Sequence, residues 1–256
     1  MKIERKKYGI KMDCFWFDYP DNVSQRGLVG YYDMPEPVAL NDKQIVISKR
    51  DAFTLRNDLR LSEEELLKAF ESNVRNEVRR AKRDGCECEV VSSLERPIPM
   101  GLIREFDVVH IEMNKQKGLP YASLAKELMQ YNEQGVLIVS MAYINGGVVA
   151  YHVYLCGDDI ARLMYSVSSF RNITDSKEKT AIGRANRLLH FEDMIYFKEN
   201  GYSIYDWGGY SMDETLAGIN AFKRGFGGVL VPSYYVVTTQ SNFIGTCVKI
   251  IKRIKK

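Results

Sequence analysis

The chain has 256 residues, of which 45% are hydrophobic and 27% charged, which is typical of a globular protein with one large domain or two small ones. Its net charge is +3, and five positive charges lie in the last eight residues, which argues against a general nucleic-acid-binding surface. Five cysteines without metal spacing and three histidines argue against zinc. No apolar run approaches the roughly 18 residues of a membrane span, and no signal-peptide core follows Met1, so we expect a reduced intracellular protein.

The first 85 residues predict short strands and then one helix. The strand candidates are residues 14–17, 44–47 and 53–55, separated by prolines and polar segments. Ser62 and Glu65 form a capping box that opens a helix over residues 62–84, which Gly85 ends. Arginines recur along this helix at positions 75, 79 and 83. Arg75 and Arg79 therefore belong either to a solvated face or to a site for phosphate or an anionic substrate.

From residue 86 the pattern of elements becomes regular. A strand over 86–91 precedes two helices, over 102–117 and 123–134. Three strands follow, over 136–143, 148–155 and 160–165. The segments Asn145-Gly146-Gly147 and Gly157-Asp158-Asp159 are typical hairpin turns, so the three strands are predicted to form an antiparallel meander.

The stretch from residue 182 to 228 organises the rest of the chain. Its helix carries an apolar face, and Asn186, His190 and Asp193 fall on the opposite side, so we expect it to bury one side only. A strand over 204–207 ends at Gly208-Gly209, which predicts a sharp turn. Asp213 is placed to cap a short helix that ends in the glycine-rich segment 225–228, and a last strand covers 229–237.

This order of elements over residues 86–237 resembles the acyltransferase domain of the GNAT superfamily. Two segments resemble the Fem-type transferases: residues 54–85, closing with Arg79-Arg80-Ala81-Lys82 before Gly85, and Asp206-Trp207-Gly208-Gly209 followed by Phe222-Lys223. The resemblance implies an α/β (α+β) fold with a mixed, mostly antiparallel sheet flanked by helices. Residues 1–85 would be a reduced first GNAT-like half, including the linking helix 62–84.

The resemblance also bears on the acyl donor. GNAT enzymes that use acetyl-CoA carry a turn whose amides hold the pyrophosphate, and residues 180–185 match its glycine and alanine but not its leading residue. Gly183, Arg184 and Arg187 are therefore the candidates for cofactor binding. The long coiled-coil arm common among tRNA-dependent members has no counterpart here. Acyl-CoA is the favoured donor, aminoacyl-tRNA is the alternative, and no metal is expected.

Acyl transfer to an amine needs a base, a stabilised oxyanion and a protonated leaving group. The matching lysine of Fem-type enzymes implies that Lys223 stabilises charge at the substrate, whereas its other interpretation is a surface lysine. Asp206 is predicted to act as base or to orient the amine; alternatively it caps a turn or pairs with a buried arginine. Tyr210 is the candidate acid for the leaving group.

Further side chains are predicted to contact the substrates. They are Phe222, His152, Tyr165 and Ser166, together with the basic positions Arg75 and Arg79. His152 lies in the middle strand of the meander and is either a general base or a satisfied core residue.

The tail over residues 241–256 alternates apolar and basic residues at helical spacing. It either lies weakly on an anionic membrane surface or packs on the domain.

We therefore predict an N-acyltransferase that modifies an amine of a cell-envelope sugar or of a peptidoglycan or polysaccharide precursor, with a small-molecule or lipid-linked acceptor. Such a protein would be cytoplasmic and peripheral to the inner face of the membrane. The alternative from another class is a GNAT-like binding protein without catalysis.

Overall fold

A computed structural model describes residues 1–20, 27–157, 159–169 and 173–254, with the backbone alone for 252–254. The predicted turn residue Asp158 and the tail residues Lys255 and Lys256 lie outside these ranges. The strands are β1 (Lys2–Lys7), β2 (Ile10–Trp16), β3 (Leu28–Met34), β4 (Ile45–Asp58), β5 (Glu87–Ser92), β6 (Leu137–Ile144), β7 (Gly147–Cys156), β8 (Ile160–Ser168), β9 (Ile204–Tyr210) and β10 (Val229–Thr239). The helices are α1 (Glu63–Ala69), α2 (Ser72–Arg83), α3 (Met100–Gln116), α4 (Ala125–Glu133), α5 (Ser176–Glu199), α6 (Ala217–Arg224) and α7 (Asn242–Ile254).

Contacts divide the chain into two units. Unit 1 comprises Met1–Thr54, Gly209–Ser211 and Leu230–Lys256, and unit 2 comprises Leu55–Gly208 and Met212–Val229. The predicted boundaries at residues 85 and 237 follow the family's segments rather than contacts, and they stay predictions.

Unit 1 carries β1, β2, β3, β10 and the first part of β4, in that order. β2 and β3 are parallel, while β1–β2 and β3–β10 are antiparallel. Its core contains Phe15, Val29, Tyr31, Met34 and Val236. Helix α7 is packed through its small and branched residues, since Gly245 approaches Ile45 and Val248 is buried. Among the described residues, no helix has both the length and the apolar character needed to cross a membrane.

Unit 2 contains the predicted meander. Strands β5, β6, β7 and β8 pair antiparallel in sequence order, and Asn145 and Gly146 form the two-residue turn between β6 and β7 with φ angles of 51° and 77°. Helix α5 covers the sheet through a cluster of small and aliphatic side chains, namely Ala142, Ala150, Ala185 and Leu189. The mixed, mostly antiparallel sheet with flanking helices is thus confirmed.

The predicted single helix over residues 62–84 is two helices. The capping box is present, with Ser62 and Glu65 bonded reciprocally, but the chain becomes extended at Phe70, where ψ is 152°. The break lets the buried Phe70 ring pack edge-on to Phe226 at 5.0 Å, and the Glu71 amide donates to the carbonyl of Gly225. Tertiary packing therefore overrides the helical pattern at this point.

Two further expectations about local structure are partly wrong. Residues 45–47 and 53–55 are strand, as predicted, but they belong to one strand, β4, instead of two. Gly208 and Gly209 continue β9 instead of ending it in a turn. Gly208 has φ of +69°, and a Cβ there would lie 2.6 Å from the carbonyl oxygen of Leu163. Glycine is thus needed at residue 208 for the close approach of β8.

Candidate active site

A cavity of about 500 Å³ lies in unit 2 beside the junction of β8 and β9. These strands pair in parallel over three residues, up to Arg162 and Asp206. Beyond that point the cavity is lined by residues of both strands and of three helices: Leu163, Ser166 and Ser168 of β8, Trp207 of β9, Asn186 and His190 of α5, Gly218, Ile219, Phe222 and Lys223 on α6, and Met113 and Lys117 at the end of α3. The predicted residues Ser166, Phe222 and Lys223 therefore share one cavity.

Helix α6 places Lys223 in this cavity. Asp213 caps the 3₁₀ turn that leads into α6, as predicted, by accepting a hydrogen bond from the Thr215 amide. The Lys223 Nζ donates to the carbonyl oxygen of Trp207 at 2.9 Å. Burial and the nearby positive charge of Arg162 lower the pKa of Lys223, Asp206 opposes them, and the net result is a pKa of about 8. Lys223 is therefore a cation held at some cost in free energy.

Asp206 is fully buried and satisfied by protein groups. Its carboxylate accepts from Nε of Arg56 at 2.7 Å and from the Gly208 amide at 2.8 Å. It is not among the residues that line the cavity. This geometry is that of the alternative interpretation, in which the carboxylate pairs with a buried arginine. The predicted role as a base stays a prediction.

His152 belongs to a buried polar network behind the cavity. Its Nδ1 lies 2.7 Å from Asp193 Oδ2, and its Nε2 lies 3.0 Å from Asn186 Oδ1. Tyr154 donates to the same Asp193 oxygen at 2.5 Å and contacts the Tyr205 hydroxyl at 2.8 Å. His152 is fully buried and is not among the residues that line the cavity, and its predicted role as a base stays a prediction.

His190 joins this network to the cavity. Its Nδ1 lies 2.7 Å from the Tyr205 hydroxyl, and its ring stacks on His152 with centroids 3.9 Å apart. The Trp207 ring covers it at 4.5 Å. Burial lowers the pKa of His190 well below its usual value, and His152, Lys223 and Arg187 lower it further. His190 is therefore a neutral imidazole at physiological pH.

The donor atoms of His152, His190 and Asp193 all lie within 4.8 Å of one another, as in some metal sites. Hydrogen bonds within the protein already engage both nitrogens of His152, Nδ1 of His190 and one Asp193 oxygen. The two stacked imidazole planes direct their lone pairs side by side rather than towards one point. The arrangement fits a hydrogen-bonded relay better than a metal centre.

The expectation that α5 buries one side only is wrong. His190 and Asp193, on the side opposite the apolar face, are each 1% exposed. Their hydrogen-bond partners are polar side chains of β7 and β9. A helix can bury a polar face when the side chains on that face find hydrogen-bond partners.

Residues 180–185 do not form the predicted phosphate-binding turn. They lie inside α5, which begins at Ser176, so their amides point along the helix. Arg187 forms an ion pair with Glu77 at 2.7 Å, and Arg184 lies 3.8 Å from Asp84. The binding roles of Gly183, Arg184 and Arg187 stay predictions without the turn that motivated them.

The remaining predicted residues lie elsewhere. Arg75 donates to the carbonyl oxygens of Lys68 and Phe70 and so closes the end of α1, whereas Arg79 is exposed on α2. Tyr165 packs against His110 with ring centroids 5.4 Å apart. Tyr210 is buried at the end of β9 and belongs to unit 1. None of these placements decides a role in binding or catalysis.

Comparison with known proteins places this geometry in a known fold. Neither a protein-family model nor a curated protein matches the sequence. The crystal structure of FemX is similar, with a TM-score of 0.58 and 14% identity over 76% of this chain and 66% of FemX. The L-PGS structure from Bacillus licheniformis has a TM-score of 0.51 and 13% identity over 89% of this chain and 72% of its own.

A third structure is similar over a comparable length. It is the C-terminal domain of a putative lysylphosphatidylglycerol synthetase from Agrobacterium fabrum, with a TM-score of 0.50 and 16% identity over 87% of this chain and 71% of its own. The chain therefore spans about two thirds of FemX and slightly more of the two others. At these identities the similarity shows the fold alone, which is the Fem-like fold that the sequence predicted.

Proposed function

We propose that this protein is an acyltransferase that moves an acyl group directly from a donor to an amine within the β8–β9 cavity. The observation that carries the proposal is the position of Lys223. Its ammonium group is buried in a 500 Å³ cavity whose walls include Trp207 and Phe222. A buried cation with fixed geometry stabilises the oxyanion that forms when an amine attacks an acyl carbonyl.

The lowered pKa of Lys223 is compatible with this role. At neutral pH a lysine with a pKa of about 8 is still mostly protonated, and it keeps the charge that the oxyanion needs. The Trp207 carbonyl oxygen accepts one of its three N–H groups and holds Nζ in place. Asp206 acts by positioning, since its bonds to Arg56 and to the Gly208 amide fix the end of β9 beside the cavity.

For the donor, the start of α5 favours an aminoacyl ester over acyl-CoA. Asp175 caps this helix through its own carboxylate, and Glu178 adds a second negative charge to the first turn. A helix start that is already capped by a carboxylate repels a pyrophosphate. The name of one neighbour, a putative lysylphosphatidylglycerol synthetase, describes a lysyl group attached to a lipid, which is aminoacyl chemistry on this fold. We therefore place aminoacyl-tRNA first and acyl-CoA second.

The proposed acceptor is an amine on a lipid-linked saccharide or peptide precursor of the cell envelope. Helix α7 supports this proposal because it exposes 78% of Phe243 and 51% of Ile250, and Lys249 is exposed between them. Apolar side chains next to a lysine suit the surface of an anionic membrane. The protein would then act in the cytoplasm, in weak contact with the inner face of the membrane.

Transfer assays with both donor types test the proposal. Purified protein is incubated with a pool of radiolabelled aminoacyl-tRNA or with acetyl-CoA, each with methylamine as acceptor. We expect amide product from aminoacyl-tRNA, and a loss of 10²-fold or more in Lys223→Ala, the size expected for one oxyanion donor. Lys126→Ala, an exposed lysine on α4, is the matched control and should keep full activity.

Three outcomes would change the proposal. Product from acetyl-CoA alone would exchange the donor. Equal activity in Lys223→Ala and in wild type would remove Lys223 from the chemistry. No product from either donor, together with unchanged folding, would favour a binding protein without catalysis.

A further inference from the structure

One carboxylate orders the hydrogen bonds of the buried network. Asp193 accepts, so Tyr154 must donate to it. The Tyr154 oxygen is then the acceptor in its 2.8 Å contact with Tyr205, and Tyr205 is the donor. Burial raises the pKa of Tyr154 and of Tyr205 well above the usual value, so both phenols keep the protons that this order requires.

The same order decides the tautomer of His190. Because the Tyr205 proton goes to Tyr154, the Tyr205 oxygen accepts from His190, and Nδ1 of His190 carries the hydrogen. In the opposite order the oxygens of Tyr154 and Tyr205 would lie 2.8 Å apart with no proton between them. In the Nδ1–H tautomer, Nε2 is a bare lone pair. His190 lines the cavity and its Nδ1 is engaged by Tyr205, so Nε2 is the nitrogen that the imidazole offers there.

We propose that His190 is the general base of the cavity, and that its Nε2 removes a proton from the ammonium group of the acceptor. This assignment rests on the proposed acyl transfer. It also assigns a role to the buried network behind His190. The Asp193 carboxylate stabilises the imidazolium form of His190 through the hydrogen bonds of Tyr154 and Tyr205.

The protons balance in two steps. The acceptor's ammonium gives one proton to Nε2, and the neutral nitrogen attacks the acyl carbonyl carbon to form the C–N bond. When the C–O bond of the donor ester breaks, the second proton of the nitrogen passes to the leaving oxygen. The proton on His190 then returns to solvent.

The groups that face His190 favour transfer in this direction. Lys223 comes from α6, Arg187 from the preceding turn of α5 and His152 from β7, while Tyr205 and Trp207 come from β9. The burial that lowers the pKa of His190, together with the charges of Lys223 and Arg187, also lowers the pKa of an ammonium ion bound beside it. The same surroundings therefore make the substrate ammonium a stronger acid as well as making His190 a weaker base.

A spectroscopic experiment tests the tautomer without any substrate. The full chain contains three histidines, so ¹⁵N-labelled histidine gives three imidazole spectra that single substitutions assign. We expect His190 to be neutral from pH 6.5 to 8.5 with its proton on Nδ1, and we expect Tyr205→Phe to change this tautomer preference. A proton on Nε2, or an imidazolium at pH 7, would overturn the proposal.

A pair of acceptors tests the base itself. Methylamine is an ammonium ion at pH 7.5 and needs a base, whereas hydroxylamine is uncharged and needs none. His190→Asn keeps an N–H donor for Tyr205 but removes the base. With aminoacyl-tRNA as donor, we expect the transfer rate of His190→Asn to fall by about 10²-fold with methylamine. With hydroxylamine, its rate should stay within a few-fold of wild type, after subtraction of the uncatalysed reaction.

The outcomes separate the two proposals. An equal loss with both acceptors, or no loss with either, overturns the role of His190 and leaves acyl transfer intact. If wild type acylates neither methylamine nor hydroxylamine from aminoacyl-tRNA or acetyl-CoA, the proposed function fails and the base assignment fails with it.

Discussion

Strand β9 borders two polar regions that differ in how their charges are satisfied. At Asp206 the carboxylate is fully buried and bonded to Arg56 and to the Gly208 amide. One residue further, the Trp207 carbonyl oxygen accepts a hydrogen bond from Lys223. Burial and the positive charge of Arg162 lower the pKa of Lys223 by more than Asp206 raises it. The Asp206 region is the closed region, because protein groups bond its carboxylate. The Lys223 region is the open region, because it lines a cavity. A charged group whose pKa is shifted towards its neutral form is the better marker of a functional site.

Breaking the closed region should have the largest effect. Asp206→Asn leaves the Arg56 guanidinium facing a neutral group in a buried position, and we expect a loss of about 3–5 kcal/mol in the free energy of unfolding. Thermal denaturation measures this loss. The matched control is Asp58→Asn, because the Asp58–Arg60 pair is exposed and should contribute no more than about 1 kcal/mol. Equal losses in the two variants would contradict the contrast between the regions.

The open region should respond in the opposite direction. Since the folded-state pKa of Lys223 is lowered to about 8, the unfolded chain binds more protons than the folded chain between pH 8 and the normal value of 10.5. Stability should therefore rise with pH across this window, by a few kcal/mol. Lys223→Met should lack this rise and should be at least as stable as wild type at pH 7. The difference between the two unfolding curves isolates Lys223, and a Lys223→Met variant that is less stable at pH 7 would be evidence against it.

Activity should fall where stability rises. An oxyanion needs the protonated lysine, so transfer to hydroxylamine should decrease above pH 8, approaching tenfold per pH unit. The neutral His190 adds no decrease between pH 6.5 and 8. Initial rates measured from pH 6.5 to 10 test this expectation. A profile that stays flat to pH 10 would show that the charge of Lys223 is not used.

The fold was largely predictable because its signals are local. The turn at Asn145-Gly146, the capping box at Ser62 and the cap at Asp213 each act within four residues, and all three are present. The break at Phe70 depends on an aromatic contact with Phe226, more than 150 positions away along the chain, and no local pattern contains it.

The site was only partly predictable for the same reason. Lys223 and Phe222 were found through a motif, and they do line the cavity. Asn186, His190 and Asp193 were seen to share one face of α5, but their partners His152, Tyr154 and Tyr205 come from β7 and β9. From the sequence alone, a buried polar helix face has the same pattern as a solvated one, because the strands that bury it are not known. Three polar positions at helical spacing beside tyrosine-containing strands were the available signal.

Helix α7 in unit 1 offers the same contrast with smaller energies. Val248 is buried, so Val248→Ser should destabilise the protein, whereas Phe243 is 78% exposed and Phe243→Ser should change stability by less than about 0.5 kcal/mol.

If α7 contacts a membrane, Phe243→Ser should weaken sedimentation with vesicles of phosphatidylglycerol and phosphatidylcholine several-fold, because one partly inserted ring contributes about 1 kcal/mol. Vesicles of phosphatidylcholine alone should bind less, since Lys249 then has no anionic partner. Unchanged binding in Phe243→Ser would mean that its exposed ring has no part in membrane contact.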